Sequence, residues 1–309
     1  MRADLLRFGY TDSIHLLPLL HPLLAGWVYP TGLKLELVPV APPALEQALG
    51  QGDLDGGLVG PLTYARLRGG LEAMPGIGLA STGPNSLAVL QSRTRPDELD
   101  GQTIAVTPSA QDTTAAALLQ VLADPFFGVN LALAPEPAPP PGGEPPPPRL
   151  LSGDPAVQAR LPWLLYEARF SPSTLAAEER ALAKGRPVPA ASKEAPALAP
   201  DPATAGYAED LGAAWWVFSG TPMVWALGVL RAEWLQQPEA VVAVVRAFQQ
   251  SRVAAREQAA TVLAAAAAQA QVPEAAVQAL FDRQTVEIGA AEQGGLAAFY
   301  RYTGKLRLT

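Results

Sequence analysis

The sequence predicts an α/β protein, and three observations carry that reading. Strand-like and helix-like segments alternate through the first third of the chain. Proline and glycine punctuate the switches between them, as at the two ends of "PPALEQALGQG". The chain has 309 residues, 49% hydrophobic and 17% charged, enough to bury sizeable cores in two domains.

In chain order, "DLLRFGY" is a short apolar strand and "SIHLLPLLHPLLAGW" a helix that ends near Gly26. "LKLELVPV" alternates with a period of two, the pattern of a strand. "PPALEQALGQG" opens with proline and closes with glycine, which suits a short helix. "DGGLVG" is then a strand and "PLTYARLRGG" a helix. Alternation of this kind implies a parallel sheet with right-handed crossovers. "SLAVLQSR" is another strand, after which "RPDELDGQTIAV" and "TPSAQDTTAAALLQVLA" open a second α/β unit. That unit runs into "APEPAPPPGGEPPPPR", a spacer too rich in proline for helix or central strand. Between about 161 and 206 only "STLAAEERALAKG" reads as helix. Near the C-terminus "PMVWALGVLR" is a buried strand. It is followed by one Ala-rich helix over about 238–270, a helix starting at Pro273, and a last one through "EQGGLAAFYRYTG".

A net charge of −7 and a pI near 5.0, with no basic stripe, argue against a nucleic-acid binder. The absence of cysteine removes disulfides, thiolate catalysis and Cys-ligated zinc. Arg2 and Arg7 precede a Leu-rich run, but Asp4, Asp12, His15, Pro18, His21 and Pro22 interrupt it, so it is not read as a secretory signal. Apolar stretches fall short of the roughly 20 residues of a membrane span. A cytoplasmic protein with no membrane partner is expected. There is no Walker-type phosphate loop and no G-x-S-x-G elbow, and His15 and His21 leave little for a hydrolase triad or a metal site. "GQGDLDGG" has Asp55 where a dinucleotide fingerprint has its third glycine, and Asp53 and Asp55 read as a solvated turn. No metal and no cofactor is expected.

What remains is a set of hydroxyls, amides and glycines at strand ends and helix starts: Tyr10 to Ser13, Ser81 to Ser86, Thr107 to Thr114, and Gly153-Asp154. In open α/β folds ligands gather at such junctions, where free backbone N–H groups hold carboxylates without any arginine. Each junction also has a plain structural role. Asp12 or Ser13 caps a helix, Thr107-Pro108-Ser109 starts one, Ser81-Thr82-Gly83-Pro84 turns the chain, and Tyr10 packs at a core edge.

Taken in order, "RFGYTDSIHLLPL", "GQGDLDGGLVGPLTYAR", "PGIGLASTGPNSLAVLQSR", "ELDGQTIAVTPSAQDTTAAALL", "LLSGDPAV", "YAEDLGAAWWVFSGTPMVWALGVL" and "IGAAEQGGLAAFYRY" resemble the chorismate dehydratase family of the futalosine route to menaquinone. The resemblance covers most of the chain outside about 134–148 and 161–206. It implies a type II periplasmic-binding-protein-like fold, with two lobes, two crossing segments and a ligand cleft between the lobes. The crossings are expected near Ser92–Arg95 and Ser219–Met223. Residues 1–92 with 220–309 would make one discontinuous lobe and 93–219 the other, which carries the Pro-rich spacer and the 161–206 insertion. The implied reaction removes water from chorismate, a dicarboxylate, to give 3-[(1-carboxyvinyl)oxy]benzoate without metal or redox cofactor. A homodimer is compatible with it.

Carried over residue by residue, Tyr10 matches the tyrosine of the family's G-Y-x-N start, while Asp12 replaces the asparagine and His15 a frequent amide. An ionised Asp12 repels a dianion. One expectation is therefore a neutral Asp12 that donates a hydrogen bond or shuttles a proton, and the other is a mere helix cap. Gly83-Pro84 match well, and Ser86 stands one place earlier than the usual serine. Thr107 and Thr113 match hydroxyl positions, and Gly153-Asp154 match a G-D pair. Gly220 and Pro222 match a G-x-P that puts Thr221 and Met223 near the cleft. The implied substrate-binding set is Tyr10, Thr11, Ser81, Gly83, Pro84, Asn85, Ser86, Thr107, Thr113, Gly153, Asp154, Thr221 and Met223, with Asp12 as the catalytic candidate. Competing readings are a 1,4-dihydroxy-6-naphthoate synthase-like enzyme, whose N-terminal proline-and-asparagine-rich signature is missing, and a non-catalytic small-anion binding protein or sensor.

Overall fold

Among the described residues eleven strands form two sheets, and the chain passes between the sheets twice. The computed structural model describes residues 5–108, 110, 113–137, 147–184 and 199–304. Ser109 and the middle of the Pro-rich spacer lie outside the described residues. The strands are β1 (Leu5–Tyr10), β2 (Lys34–Pro39), β3 (Gly56–Val59), β4 (Leu71–Ser81), β5 (Ala88–Ser92), β6 (Thr103–Val106), β7 (Ala132–Pro135), β8 (Arg149–Ser152), β9 (Tyr207–Asp210), β10 (Met223–Arg231) and β11 (Gln284–Thr285). The first sheet has six strands in the order β11-β4-β10-β3-β1-β2, and the second has five in the order β7-β6-β8-β5-β9.

β1 pairs parallel with both β2 and β3, as strand–helix alternation requires. The helices Leu17–Leu24 and Pro42–Gln51 supply the crossovers. β10 departs from that rule and runs antiparallel between β3 and β4. It enters from the other sheet, so no crossover helix dictates its direction. In the second sheet β6 is parallel to β7 and β8, while β5 is antiparallel to β8 and β9.

Several elements differ from expectation for identifiable reasons. β4, at 11 residues, shows no clean period because Pro75, Gly76 and Gly78 interrupt it. Its register against β10 shifts between Leu227 and Val229, and Pro75 falls in that irregularity, where no ladder N–H is required. The first helix starts as a 3₁₀ turn, Ile14–Leu16, before the α-helix Leu17–Leu24. The Ala-rich run is two helices, Pro238–Glu257 and Ala259–Ala270, broken at Gln258. The break turns Val262, Ala266 and Ala270 into a core shared with Val157 and Leu164, which follow β8 of the second sheet. The 161–206 region holds the unforeseen helix Leu161–Ala168 and the short helix Pro202–Ala205 beside the foreseen one at Pro172–Ala183.

The outgoing crossing also moves. β4 ends in the first sheet at Ser81 and β5 opens in the second at Ala88, so the chain crosses over 82–87 and not near Ser92–Arg95. Pairing of β5 with β8 and β9 decides this, and a lobe boundary at residue 92 would cut β5 from its own sheet. The return crossing lies between the helix Leu211–Ser219 and β10. The last helix, Ala290–Thr303, packs on it so closely that a Cβ at Gly295 would stand 2.0 Å from the Pro222 carbonyl oxygen. Only glycine fits there. Among the described residues no helix is long and apolar enough to cross a membrane.

Candidate functional site

A cleft of about 600 Å³ opens between the two sheets. In parallel units every strand C-terminus leads to a helix N-terminus on the same edge of the sheet, so helix starts collect there. β1 leads to Ser13, β2 to Pro42-Pro43, β3 to Gly60, β6 to Thr113–Ala115 and β8 to Gly153–Pro155, and all five starts line the cleft. Leu16, Leu58, Leu79, Leu87 and Trp225 supply apolar surface between them. The Trp225 indole is anchored by donating Nε1–H to Ser81 Oγ at 2.9 Å. The site thus combines an apolar surface with positive helix ends, which suits a ring bearing anionic groups.

Of the anticipated residues, Thr11, Asp12, Thr113, Gly153 and Asp154 line this cleft. Asp154 has a structural task. Ser13 is the N-cap but its side chain makes no capping bond. Instead Ile14 N–H donates to Asp154 Oδ1 at 3.1 Å, and Ser13 Oγ donates to the same oxygen at 3.3 Å. The expected cap from Asp12 or Ser13 is therefore supplied from the other sheet, because the closed cleft brings Asp154 over the helix start. Gln269 Nε2 completes the link, donating to Asp154 Oδ2 at 3.1 Å and to Asp12 Oδ1 at 3.2 Å. Asp154→Ala is expected to cost about 0.5–2 kcal/mol, the usual worth of a lost N-cap, read as a lower urea midpoint.

The other anticipated residues do not line the cleft. Tyr10 is buried at the end of β1, and burial, with the Asp12 charge second, pushes its phenol up. Thr107 spends its hydroxyl on the Leu150 carbonyl at 3.0 Å. Helix start comes later than Thr107-Pro108-Ser109: Thr113 Oγ1 accepts Ala115 N–H at 3.2 Å and caps Thr114–Leu122. Gly83 adopts φ +116 and Pro84 follows it in the crossing. Asn85 and Ser86 are fully buried, and their N–H groups donate to Asp210 Oδ2 at 3.0 and 2.6 Å. Thr221 Oγ1 lies 2.9 Å from Ser219 Oγ, and Met223 is buried at the head of β10. Asp55 is no loose turn residue: it accepts Arg7 N–H at 2.8 Å and Trp234 Nε1–H at 3.1 Å.

Sequence reasoning missed three groupings. Glu46 and Arg66 line the cleft as an ion pair. Arg160, Asp210 and Glu167 form a buried charged cluster, with Arg160 Nη1 donating to Asp210 Oδ2 at 2.7 Å and Nη2 to Glu167. Burial pushes the Glu167 carboxyl up despite the opposing pull of Arg160. His15 is fully buried, with Nδ1 at 2.9 Å from Gln284 Oε1, while Gln284 Nε2 donates to the His15 carbonyl at 3.0 Å. That pairing assigns the proton to Nδ1.

Burial lowers the His15 pKa, against smaller opposing effects of Gln284, Asp154 and Asp210. The unfolded chain then binds a proton near pH 6.5 that the folded protein refuses. This contribution to stability is complete above about pH 6.5 and falls as pH drops below it. Urea midpoints measured from pH 8 to 5 should decline towards acid, and His15→Gln should flatten that decline.

A sequence profile described as menaquinone biosynthesis matches residues 6–143 and 196–305. No curated protein shows significant sequence similarity. Among solved structures the chain is similar to protein AF1704 from Archaeoglobus fulgidus, at 15% identity and a TM-score of 0.67, covering 98% of each chain. It is also similar to the Candida albicans CA3427 gene product, described as having the generic periplasmic binding protein fold. That match has 11% identity and a TM-score of 0.61, covering 99% of this chain and 92% of the other. SsuA, the periplasmic aliphatic sulphonate binding protein of Escherichia coli, matches at 17% identity and a TM-score of 0.54, over 96% of this chain and 92% of that one. These likenesses show the fold: two α/β lobes of the periplasmic-binding-protein type with a cleft between them. The profile match spans most of the chain on both sides of the divergent middle, and the protein belongs to the menaquinone-biosynthesis family.

Proposed function

We propose that the protein is a chorismate dehydratase of the cytoplasm, acting in the futalosine route to menaquinone and releasing 3-[(1-carboxyvinyl)oxy]benzoate and water. The observation that carries this reading is the ring of helix starts around an apolar surface bearing Trp225, in a chain of the menaquinone-biosynthesis family. Chorismate is a near-aromatic ring with two carboxylates, and it needs those two kinds of surface. Helix Thr114–Leu122 presents its positive end to the carboxylates, and helix Pro42–Gln51 adds its dipole, since Pro42 and Pro43 carry no N–H. The ring lies on Trp225 and the leucines, and Thr11 and Thr113 place hydroxyls at the cleft wall.

In the reaction the ring carbon bearing the enolpyruvyl ether loses a proton and its neighbour loses hydroxide. Together these leave as one water, and the electron pair of the broken C–H bond completes the aromatic ring. Asp12 is the group assigned to the proton. It lines the cleft, is exposed, and among the described residues accepts one hydrogen bond, so an oxygen remains to take the proton and return it to the departing hydroxide. The preorganised donors at the helix starts hold charge in place during the transfer. Incubation of the purified protein with chorismate, followed by chromatography for the enolpyruvyl benzoate, tests the proposal. Product formation supports it, and binding without turnover favours an anion sensor.

A further inference from the structure

Among the described residues lining the cleft, Arg66 is the one cation. Its guanidinium forks onto Glu46: Nε donates to Oε1 at 2.7 Å and Nη2 donates to Oε2. Thr63 Oγ1 adds a third donor to Oε2 at 2.8 Å. Glu46 comes from the helix Pro42–Gln51, whereas Thr63 and Arg66 come from Pro61–Leu67, so two helices meet at one carboxylate. The Arg66 bond is the main cause that holds the Glu46 carboxyl below the usual carboxylate range.

Two features separate this grouping from an ordinary surface pair. It faces the ligand cleft, and its donors form a planar fork plus a hydroxyl, which recognises a carboxylate whatever molecule carries it. The side chains are 45% and 27% exposed, so the pair is screened by solvent and exchange of one carboxylate for another costs little. We propose that Arg66 and Thr63 form a carboxylate subsite, and that Glu46 is a tethered occupant which one carboxylate of a dicarboxylate ligand displaces. The subsite selects for a second carboxylate, because a monocarboxylate seated at the helix starts gains nothing by expelling Glu46. For the identity of the ligand this rests on the proposed function.

The test is a double-mutant cycle read by calorimetric titration, using chorismate as the dicarboxylate and benzoate as the monocarboxylate. Arg66→Gln should weaken chorismate binding by about tenfold or more and benzoate binding by less than about twofold. Glu46→Gln should tighten chorismate binding by about threefold or more in the wild-type background and change nothing once Arg66 is Gln. Equal tightening in both backgrounds would mark a general field effect of one lost charge and overturn the subsite. An unchanged ratio of chorismate to benzoate affinity in Arg66→Gln would overturn it as well. If the wild type fails to bind chorismate, the proposed function falls instead, and the same four proteins titrated with isophthalate against benzoate decide the subsite.

Discussion

Asp12→Asn is expected to lower kcat for chorismate by about 10²–10⁴-fold, the usual worth of a positioned proton-transfer group. The variant restores the asparagine of the resembled family's G-Y-x-N start, and the loss is expected because the proton in this chain is assigned to Asp12 and not to a substrate carboxylate. Among the described residues three carboxylates line the cleft, and their hydrogen bonds rank them. Asp154 is occupied by Ile14 N–H, Ser13 and Gln269, and Glu46 by Arg66 and Thr63. Among the described residues Asp12 accepts from Gln269 alone. Asparagine at position 12 keeps an oxygen for Gln269 and removes a negative charge from the path of a dianion. Chorismate should therefore bind the variant at least as tightly as the wild type while turnover collapses. Direct titration and a single-turnover assay separate the two quantities. Full turnover by Asp12→Asn would move the proton transfer to one of the substrate's own carboxylates.

Asp210→Ala is expected to destabilise the fold by about 3–5 kcal/mol, the cost of breaking a buried ion pair by removing one partner. Asp210 is 3% exposed and joins three separate parts of the chain. Its Oδ2 takes the Asn85 and Ser86 N–H groups of the first crossing together with Arg160, and its Oδ1 takes Ala213 N–H at the start of the helix leading to the second. Ser86 sits at φ +55, an uncommon conformation for a residue with a side chain, and these bonds hold it there. Removing the carboxylate leaves Arg160 with Glu167 as its remaining ion-pair partner and takes the acceptor away from the first crossing and from the start of the helix Leu211–Ser219 at once. The triple variant Asp210→Leu, Arg160→Met and Glu167→Gln should recover part of the loss, since no charge of the cluster is then left unpaired. Urea unfolding of the three proteins measures this, and a single-variant loss below about 1 kcal/mol would show that solvent reaches the cluster.

Local signals made much of the first sheet readable. The period-two run in β2, the prolines at 42 and 43 and the glycine at 52 act within a few residues of where they stand, so they are visible without a fold. β4 was not readable, because its proline is excused by a bulge that exists only once β10 lies beside it. The same limit explains the site. The polar starts at Asp12, Thr113 and Gly153 are strand–helix junctions, and sequence marks those well. Arg66 looks like one residue on a solvated helix face until Glu46 arrives from another helix. Asp154 shows the reverse case: a G-D pair is easy to see, but its work as a cap for Ile14 depends on a contact between sheets.

The place of β10 sets an order on how the molecule is made. β3 and β4 are complete by residue 81, yet the strand that separates them is translated only at 223–231, nearly half the chain later. The strands of the second sheet all lie between 88 and 210, so that unit can finish on the ribosome first. Until β10 emerges, the nascent N-terminal strands carry unpaired apolar edges, and a ribosome stalled before residue 223 holds an aggregation-prone chain.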